Sequence, residues 1–544
     1  MPSPGAPSAR VASRALIQTR SHRIASASRD VLSRAPRPLR RGSICIDIFA
    51  SDEDCPVSDA ENLEGPDDAP EEVVIETACD PAPQPVATEA APKDVVVWCE
   101  SALLADGWAK GVRLTLSEGR IARIDTDVAA GSEPRLGAAL PGMPNLHSHA
   151  FQRAMAGLTE ARGEGGDSFW TWRELMYRFV ERLDPDALQA IAAMGQVEML
   201  ESGFTRVGEF HYLHHDRDGA TFDNPAEMGA KIAAAAQETG IGLTLLPVFY
   251  AHSSFGGAAP GEGQKRFVTD VDGYARLMEA SRAAIAGLPD AVVGIAPHSL
   301  RAITADELTA ITPLAAGGPI HIHIAEQTRE VDDCLAATGQ RPVRWLMNHA
   351  EVGKQWCLVH ATHMNAVETE RLAKSGAVAG LCPITEANLG DGVFPAHDYQ
   401  AAGGAFGIGS DSNVLIDAAE ELRVLEYSQR LTRRARNVLA GGPRRSTGGE
   451  LWRAAVAGGS QALGAGRPGL RRGAPADFVT LDREHPAIVG RNGDALIDSL
   501  VFAGRFGAID SVWRAGRPVV SGGRHRHREA IAERYRRVLK DLLS

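Results

Sequence analysis

Two histidines one residue apart, His147 and His149 in PGMPNLHSHAFQRAMAG, stand at the end of a short apolar run that begins at Leu140. Residues i and i+2 of a strand project from the same face, so the two imidazoles point together, as two ligands of one ion would. The plainer reading of an isolated HxH is a pair of polar residues at a loop mouth. Histidines and acids recur in the same setting, however. His211 and Tyr212 follow GEF, His298 closes GIAPHSL, and PIHIHIAE carries His321, His323 and Glu326. His360 stands in CLVHATH and Asp411 in GIGSDSN. Zinc takes about four ligands and at a catalytic centre keeps a position for water. His147, His149, His323 and Asp411 could supply an N3O set for one ion. His321 has the parity of His323, so on pattern either could be the ligand from that run. No lysine stands at a strand end within the set, and one ion is simpler than a bridged pair.

Glu326, three residues beyond His323, is placed to carry a proton from metal-activated water to a leaving nitrogen. Taken alone it would be a first-turn acid favoured by the helix macrodipole. His360 would stand opposite, to stabilise or deprotonate the attacking water. Asp411 alone would be a helix N-cap, a task that Ser412 or Asp417 could take instead.

These residues sit at the ends of six of eight apolar, strand-like runs: AALPGMPNLH, FTRVGEFHYL, IGLTLLPVFYA, AVVGIAPHSL, PIHIHIAE, WCLVHATH, AVAGLCPIT and AFGIGSDS. Helical stretches such as DPDALQAIAAMGQVEMLESG separate most of them. An open doubly wound sheet competes with a (β/α)8 barrel for this alternation. The barrel is preferred because its site gathers at the C-terminal ends of the strands, where these polar residues fall. Any one of the histidines could be a core residue satisfied by hydrogen bonds. Six strands repeating that accident is a poor explanation, so the cluster is read as functional.

Short strands with glycine turns bracket the barrel on both sides, in WAKGVRLTLSEGRIARID and in DSVWRAGRPVVSGG. The expected fold is therefore α/β. A barrel over 141–464 is joined by a small β-sandwich built from 95–140 and 465–525, and an amphipathic helix occupies 526–544. Residues 1–42 hold nine arginines and one acid, whereas 52–92 hold thirteen acids and no Lys or Arg. Such composition buries too little apolar surface to offset its ordering entropy, so 1–94 is expected to be a disordered extension. The Arg/Ser-rich start is like a transit peptide in composition. A start codon further downstream is the preferred reading, because the acidic stretch is no part of such a signal.

The formal net charge of −12 over 544 residues disfavours a nucleic-acid partner, which would call for a basic face. No apolar run is long enough to span a membrane. Seven scattered cysteines without a CxxC pair point to a reducing compartment, hence the cytoplasm.

Over about 95–525 the chain resembles the amidohydrolase superfamily, in its branch of one-metal deaminases. The longer strings are similar to the formimidoylglutamate deiminase family: PGMPNLHSHAFQRAMAGLTE, FWTWRELMY, EFHYLHHD, PHSLRA, HIHIAEQ, LVHATH and CPITEANLGDG. HxH is common to the superfamily, whereas HSHAFQR with EFHYLHH and TEANLGDG is far more specific. The resemblance implies one zinc ion per subunit on His147, His149, His323 and Asp411, selecting His323 over His321. It implies Glu326 and His360 as the catalytic pair, with Asp411 helping to hold the water. It places substrate contacts on Gln152, Arg173, Tyr212, His298 and Arg301. The implied reaction is hydrolysis of N-formimidoyl-L-glutamate to N-formyl-L-glutamate and ammonia, in histidine degradation, by a homodimer.

Such a substrate brings two carboxylates, which arginine forks bind bidentately. Arg301, three residues after His298, is well placed for this. Arg173 in WTWRELMYRF is equally readable as a surface ion pair on a helix. Deaminases of guanine, cytosine or s-triazines are the nearest alternative, and a non-catalytic scaffold of this fold is a further one. A scaffold would normally have lost metal ligands. Arg206, in FTRVGEF, is an awkward charge for a barrel wall, with Glu209 or a substrate carboxylate as possible partners. His214, His215, His252 and His363 are read as surface or supporting residues.

Overall fold

In the computed structural model, residues 94–162, 165–504 and 507–544 are described. The extension expected over 1–94 lies outside them, apart from Asp94. The described chain begins with β1 (Val95–Leu104), β2 (Gly107–Ser117), β3 (Arg120–Asp125) and β4 (Arg135–Pro141). After Gly142 the chain enters the barrel as β5 (Met143–Ser148), β6 (Phe204–His211), β7 (Gly242–Phe249), β8 (Val292–Val293) and β9 (Ala296–Pro297). It continues as β10 (Ile320–Ile324), β11 (Trp356–His360), β12 (Val378–Leu381) and β13 (Ala405–Ile408).

Every residue of β5, β6, β7, β10 and β11 is buried. That explains the continuous apolar runs, since both faces of a parallel barrel strand are covered. Neighbouring barrel strands pair in parallel, and β13 returns to β5 at Ile408–Asn145. Segments β8 and β9 share the fourth position, both paired to β7. Bridges Ile295–Ile320 and Ser299–His323 join that position to β10 and close the ring. The result is a TIM-type barrel.

The helices between the strands start on side chains that satisfy free backbone N–H groups. Asp184 accepts from Ala187, and Asn365 forms a capping box with Glu368. The Glu227–Thr239 helix ends at Gly240, whose φ of 79° suits a residue without Cβ.

The N-terminal end of the barrel is filled by the chain itself. The Thr447–Ala462 helix delivers Ala462 and Leu463 into a cluster with Leu146, Cys357, Val359 and Val378. Thr244 Oγ1 donates to the Leu463 carbonyl at 2.9 Å, and His321 Nε2 donates to the Ala462 carbonyl at 2.7 Å. Gly208 leaves room for this plug, because a Cβ there would lie 2.4 Å from Leu463 Cδ2. The open end is therefore the C-terminal one.

Strands from the two ends of the described chain form one sheet. Strands β14 (Phe478–Leu481), β15 (Ile509–Arg514), β16 (Arg517–Ser521) and β17 (Arg524–His525) add to the first four in the order β17-β16-β15-β14-β4-β1-β2-β3. The sheet bends over a shared core that includes Val97, Leu114, Ile121, Phe478 and Trp513. Its far edge returns to the segment before β14, where Ile121 N–H donates to the Ala474 carbonyl at 3.0 Å. The last helix, Arg528–Leu543, pairs Arg528 with Glu201 and Arg534 with Glu238, each at 2.6 Å.

Arg206 is resolved here, and its partner is neither Glu209 nor a ligand. Its guanidinium donates to Asp290 Oδ2 at 2.7 Å and to the carbonyls of Leu243 and Asp290. Asp290 also pairs with Arg514, which reaches Asp477 at 3.1 Å. This partly buried network ties the barrel to the small sheet. Glu209 instead accepts the Ala150 N–H at 2.7 Å, directly behind the histidine pair.

Candidate active site

At the open end, three imidazole nitrogens and one carboxylate oxygen converge. His147 Nε2 lies 3.2 Å from His149 Nε2 and 2.9 Å from His323 Nε2. Asp411 Oδ1 lies 3.5 Å from the first and 3.3 Å from the second. His149 Nδ1–H donates to the Phe210 carbonyl at 2.9 Å and His323 Nδ1–H to the His298 carbonyl at 3.1 Å. Those bonds fix the tautomers and turn both Nε2 lone pairs inward. Facing lone pairs at such distances repel unless a cation lies among them. Ligand bonds of about 2.0–2.1 Å in a tetrahedron put donor atoms about 3.3 Å apart, which matches the spacing found. Burial pushes His147 down to about 3 and lowers His149 and His323, so the imidazoles are neutral ligands. Burial would raise the Asp411 carboxyl, but the polar contact with His147 and the nearby His360 cation help to hold it below the usual carboxylate range. The four residues form a buried group able to hold a metal ion. His321, the alternative ligand, is bound to the plug below.

Backbone strain aims two of the groups at this end. His360 has φ 66° and Asp411 φ 45°, left-handed values that non-glycine residues rarely adopt and that gather at functional sites. In β11, Cys357 and Val359 face the plug, so alternation alone would send His360 outward. The left-handed turn brings it to the mouth instead. There His360 Nε2 lies 3.8 Å from both Glu326 Oε1 and Asp411 Oδ2. Burial opposes the imidazolium, yet Glu326, Glu386 and Asp411 outweigh it and lift His360 well above its ordinary value. Burial likewise pushes the Glu326 carboxyl up to about 7, within reach of a proton-transfer role near neutral pH.

The five expected substrate contacts share one cavity with these groups. It is lined by Gln152, Arg173, Tyr212, His298 and Arg301 beside His149, His323, Glu326, His360 and Asp411. Gln152 Nε2 donates to Tyr212 Oη at 2.9 Å. Arg173, on the Phe169–Val180 helix, turns into the cavity and is no surface ion pair. Among the described residues, neither its buried Nε nor that of Arg301 has a hydrogen-bond partner. Two cationic forks are thus held ready across from the metal group.

His211 does not join the cavity and packs against His214, ring centroids 5.7 Å apart. His214 and His215 bind the carbonyls of Val248 and Val268, His252 meets Glu307, and His363 binds the Asp391 carbonyl. Asp417, not Asp411, caps the following helix.

Sequence reasoning missed the aromatic wall of Trp172, Tyr177, Tyr250 and Phe267. It also missed Glu386 and Asp391. Glu386 Oε1 lies 3.2 Å from His360 Nδ1. Asp391 accepts from Gln327, and burial with Glu326 nearby pushes its carboxyl up to about 9. Both acids lie in the TEANLGDG string, where two carboxylates beside glycines after a strand were the available signal.

Comparison with known proteins agrees with this geometry. Residues 138–519 match the amidohydrolase family, and residues 94–138 match the N-terminal domain of formimidoylglutamate deiminase HutF. The chain is 50% identical over 452 residues to formimidoylglutamate deiminase of Pseudomonas aeruginosa, covering 82% of this chain and 99% of that protein. A 5-methylthioadenosine/S-adenosylhomocysteine deaminase of Natronomonas pharaonis is 28% identical over 374 residues, covering 67% of this chain and 77% of that protein. The crystal structure of an amidohydrolase from Brucella melitensis superposes with a TM-score of 0.81 at 54% identity, covering 83% of this chain and 100% of that one. The chain belongs to the amidohydrolase family, in its formimidoylglutamate deiminase branch, and is a hydrolase of C–N bonds.

Proposed function

We propose that the chain hydrolyses N-formimidoyl-L-glutamate to N-formyl-L-glutamate and ammonia. The observation that carries this reading is the pair of buried guanidinium nitrogens on Arg173 and Arg301 that have no partner among the described residues. They face the same cavity as Glu326 and His360, so a substrate with two carboxylates can be anchored there while its formimidoyl carbon meets the proton-transfer groups. A ring substrate such as guanine or cytosine would leave both cations unmatched.

His147, His149, His323 and Asp411 would hold one zinc ion, an N3O set suited to it. When bound, such an ion polarises the substrate and lowers the pKa of water toward neutrality. Glu326 as carboxylate takes a proton from the attacking water and returns it to the imino nitrogen. His360 and Asp411 hold the water during attack. Glu326 then moves the remaining hydroxyl proton to the same nitrogen, the carbon–nitrogen bond breaks as the formyl C=O forms, and ammonia leaves. Tyr212, Gln152 and His298 shape the cavity around the formimidoyl group, with His298 kept neutral by burial and by Arg301.

The same reading assigns the protein to the cytoplasm and to histidine degradation, as a homodimer. Buried free cysteines at 99, 334, 357 and 382 support a reducing location. Among the described residues, no helix is long and apolar enough to cross a membrane.

Ammonia release from N-formimidoyl-L-glutamate by the zinc-loaded protein, read beside Glu326→Gln, tests the assignment. Turnover that collapses in the variant is expected. One bound zinc with ammonia released from guanine or cytosine instead would overturn the substrate.

A further inference from the structure

Trp170 stands where three arginines from three elements meet. The guanidinium carbons of Arg173 and Arg329 each lie 4.6 Å from its ring centroid, and that of Arg301 lies 5.5 Å away. Arg173 is one helical turn along from Trp170, and Arg301 follows β9. Arg329 lies in the first turn of the Thr328–Thr338 helix. Arg329 is largely exposed and outside the cavity, with Asp333 3.6 Å away.

Three like charges this close repel, and among the described residues the two inner guanidiniums have no hydrogen-bond partner at Nε. An indole face attracts a guanidinium by about 0.5–2 kcal/mol, more as the pair is desolvated. A cation–π contact also uses up no N–H donor of the guanidinium in a conventional hydrogen bond. The in-plane N–H groups stay free for a carboxylate, which binds them edge-on and often bidentately. A carboxylate of the protein in this place would have occupied those edges. Trp170 holds the cations without competing for the ligand.

We infer that Trp170 is a specificity-determining positioning residue. It sets the separation and orientation of Arg173 and Arg301 so that the cavity selects a ligand with two carboxylates, and Arg329 braces it from outside. The inference rests on the substrate reading above and deepens it.

The test uses Trp170→Phe, which keeps an aromatic face, and Trp170→Leu, which removes it, each checked for one zinc per chain. With N-formimidoyl-L-glutamate, Trp170→Leu is expected to raise KM about tenfold, the scale of a half-buried indole's contacts with two cations. Its kcat should stay within about twofold, because Glu326 and His360 are untouched, and Trp170→Phe should restore most of the KM. Discrimination against 4-(formimidoylamino)butanoate, which lacks one carboxylate, should shrink in Trp170→Leu. A KM and a discrimination equal to wild type in Trp170→Leu would overturn the inference while leaving the substrate assignment intact. Binding of glutarate against butyrate, by calorimetry, needs no turnover. If wild type prefers glutarate and Trp170→Leu does not, the inference stands even for a protein that releases no ammonia from N-formimidoyl-L-glutamate. Equal preference in both proteins would overturn it.

Discussion

Glu386 Oε1 accepts the His360 Nδ1–H at 3.2 Å and, on the same oxygen, the Cys382 backbone N–H at 2.9 Å. The carboxylate therefore holds one edge of an imidazole whose other edge faces Glu326 and Asp411. A carboxylate behind a histidine fixes its tautomer and supports its charged form.

Glu386→Gln keeps an oxygen acceptor but loses the negative charge, whereas Glu386→Ala loses both. The expected result is a fall in kcat of roughly 10–100-fold for Gln and a larger one for Ala, with KM little changed. Steady-state kinetics beside metal analysis check this. A kcat equal to wild type in Glu386→Ala would make the pair purely structural.

The acid limb of activity follows from Glu326. Burial raises its carboxyl to about 7, and the proposed step needs the ionised form to receive the proton of water. Activity should therefore be present above that ionisation and fall as pH drops through it, about tenfold per unit. A bound divalent cation favours the carboxylate, so the limb lies at or below about 7 in the loaded enzyme. A kcat/KM profile from pH 4 to 9 reads it out. Activity that rose steadily toward low pH would sink Glu326 as the initial proton acceptor.

The sequence made the ligands legible because strand alternation is a rule of two. His147 and His149, and the parity of His321 with His323, follow from it directly. What it left open was depth. His321 and His323 share a face, and only the plug at Ala462 and Leu463, more than a hundred residues later, shows that the first lies in the floor layer. His360 was found by its place at a strand end, although its ring reaches the mouth only through the left-handed turn at φ 66°. The partner of Arg206 was invisible, because Asp290 lies in a loop 84 residues away. The aromatic wall was missed for a similar reason, since aromatic residues on helices and loops read as ordinary core.

That difference in depth gives separable outcomes for two histidines on one strand. His323→Ala removes a nitrogen from the metal group, so bound zinc after dialysis should fall well below one per chain. His321→Ala strands the buried Ala462 carbonyl, at a cost of about 1–3 kcal/mol in unfolding free energy, and should leave the zinc content at one. Metal analysis with urea unfolding of both variants checks this. Zinc lost from His321→Ala with stability intact would reverse the assignment of the two residues.

The Arg206–Asp290–Arg514 network should respond unevenly to losing its members. Arg206 is 3% exposed, and burial lowers its pKa against the pull of Asp290. Asp290 serves two guanidiniums, so Asp290→Asn leaves two buried cations short of charge at once. Arg206→Met leaves Asp290 still paired with Arg514, which also keeps Asp477. Breaking a fully buried pair from one side is destabilising by about 3–5 kcal/mol, and the partial exposure of Asp290 reduces that toward about 2–3 kcal/mol. Asp290→Asn should accordingly lower the unfolding free energy by more than Arg206→Met does. Because the network joins the barrel to the small sheet, the loss should also broaden the unfolding transition as the two parts uncouple. Urea unfolding followed by tryptophan fluorescence and far-UV circular dichroism tests both points. Equal destabilisation by the two substitutions would mean that Asp290 acts on Arg206 alone and that Arg514 is held by Asp477.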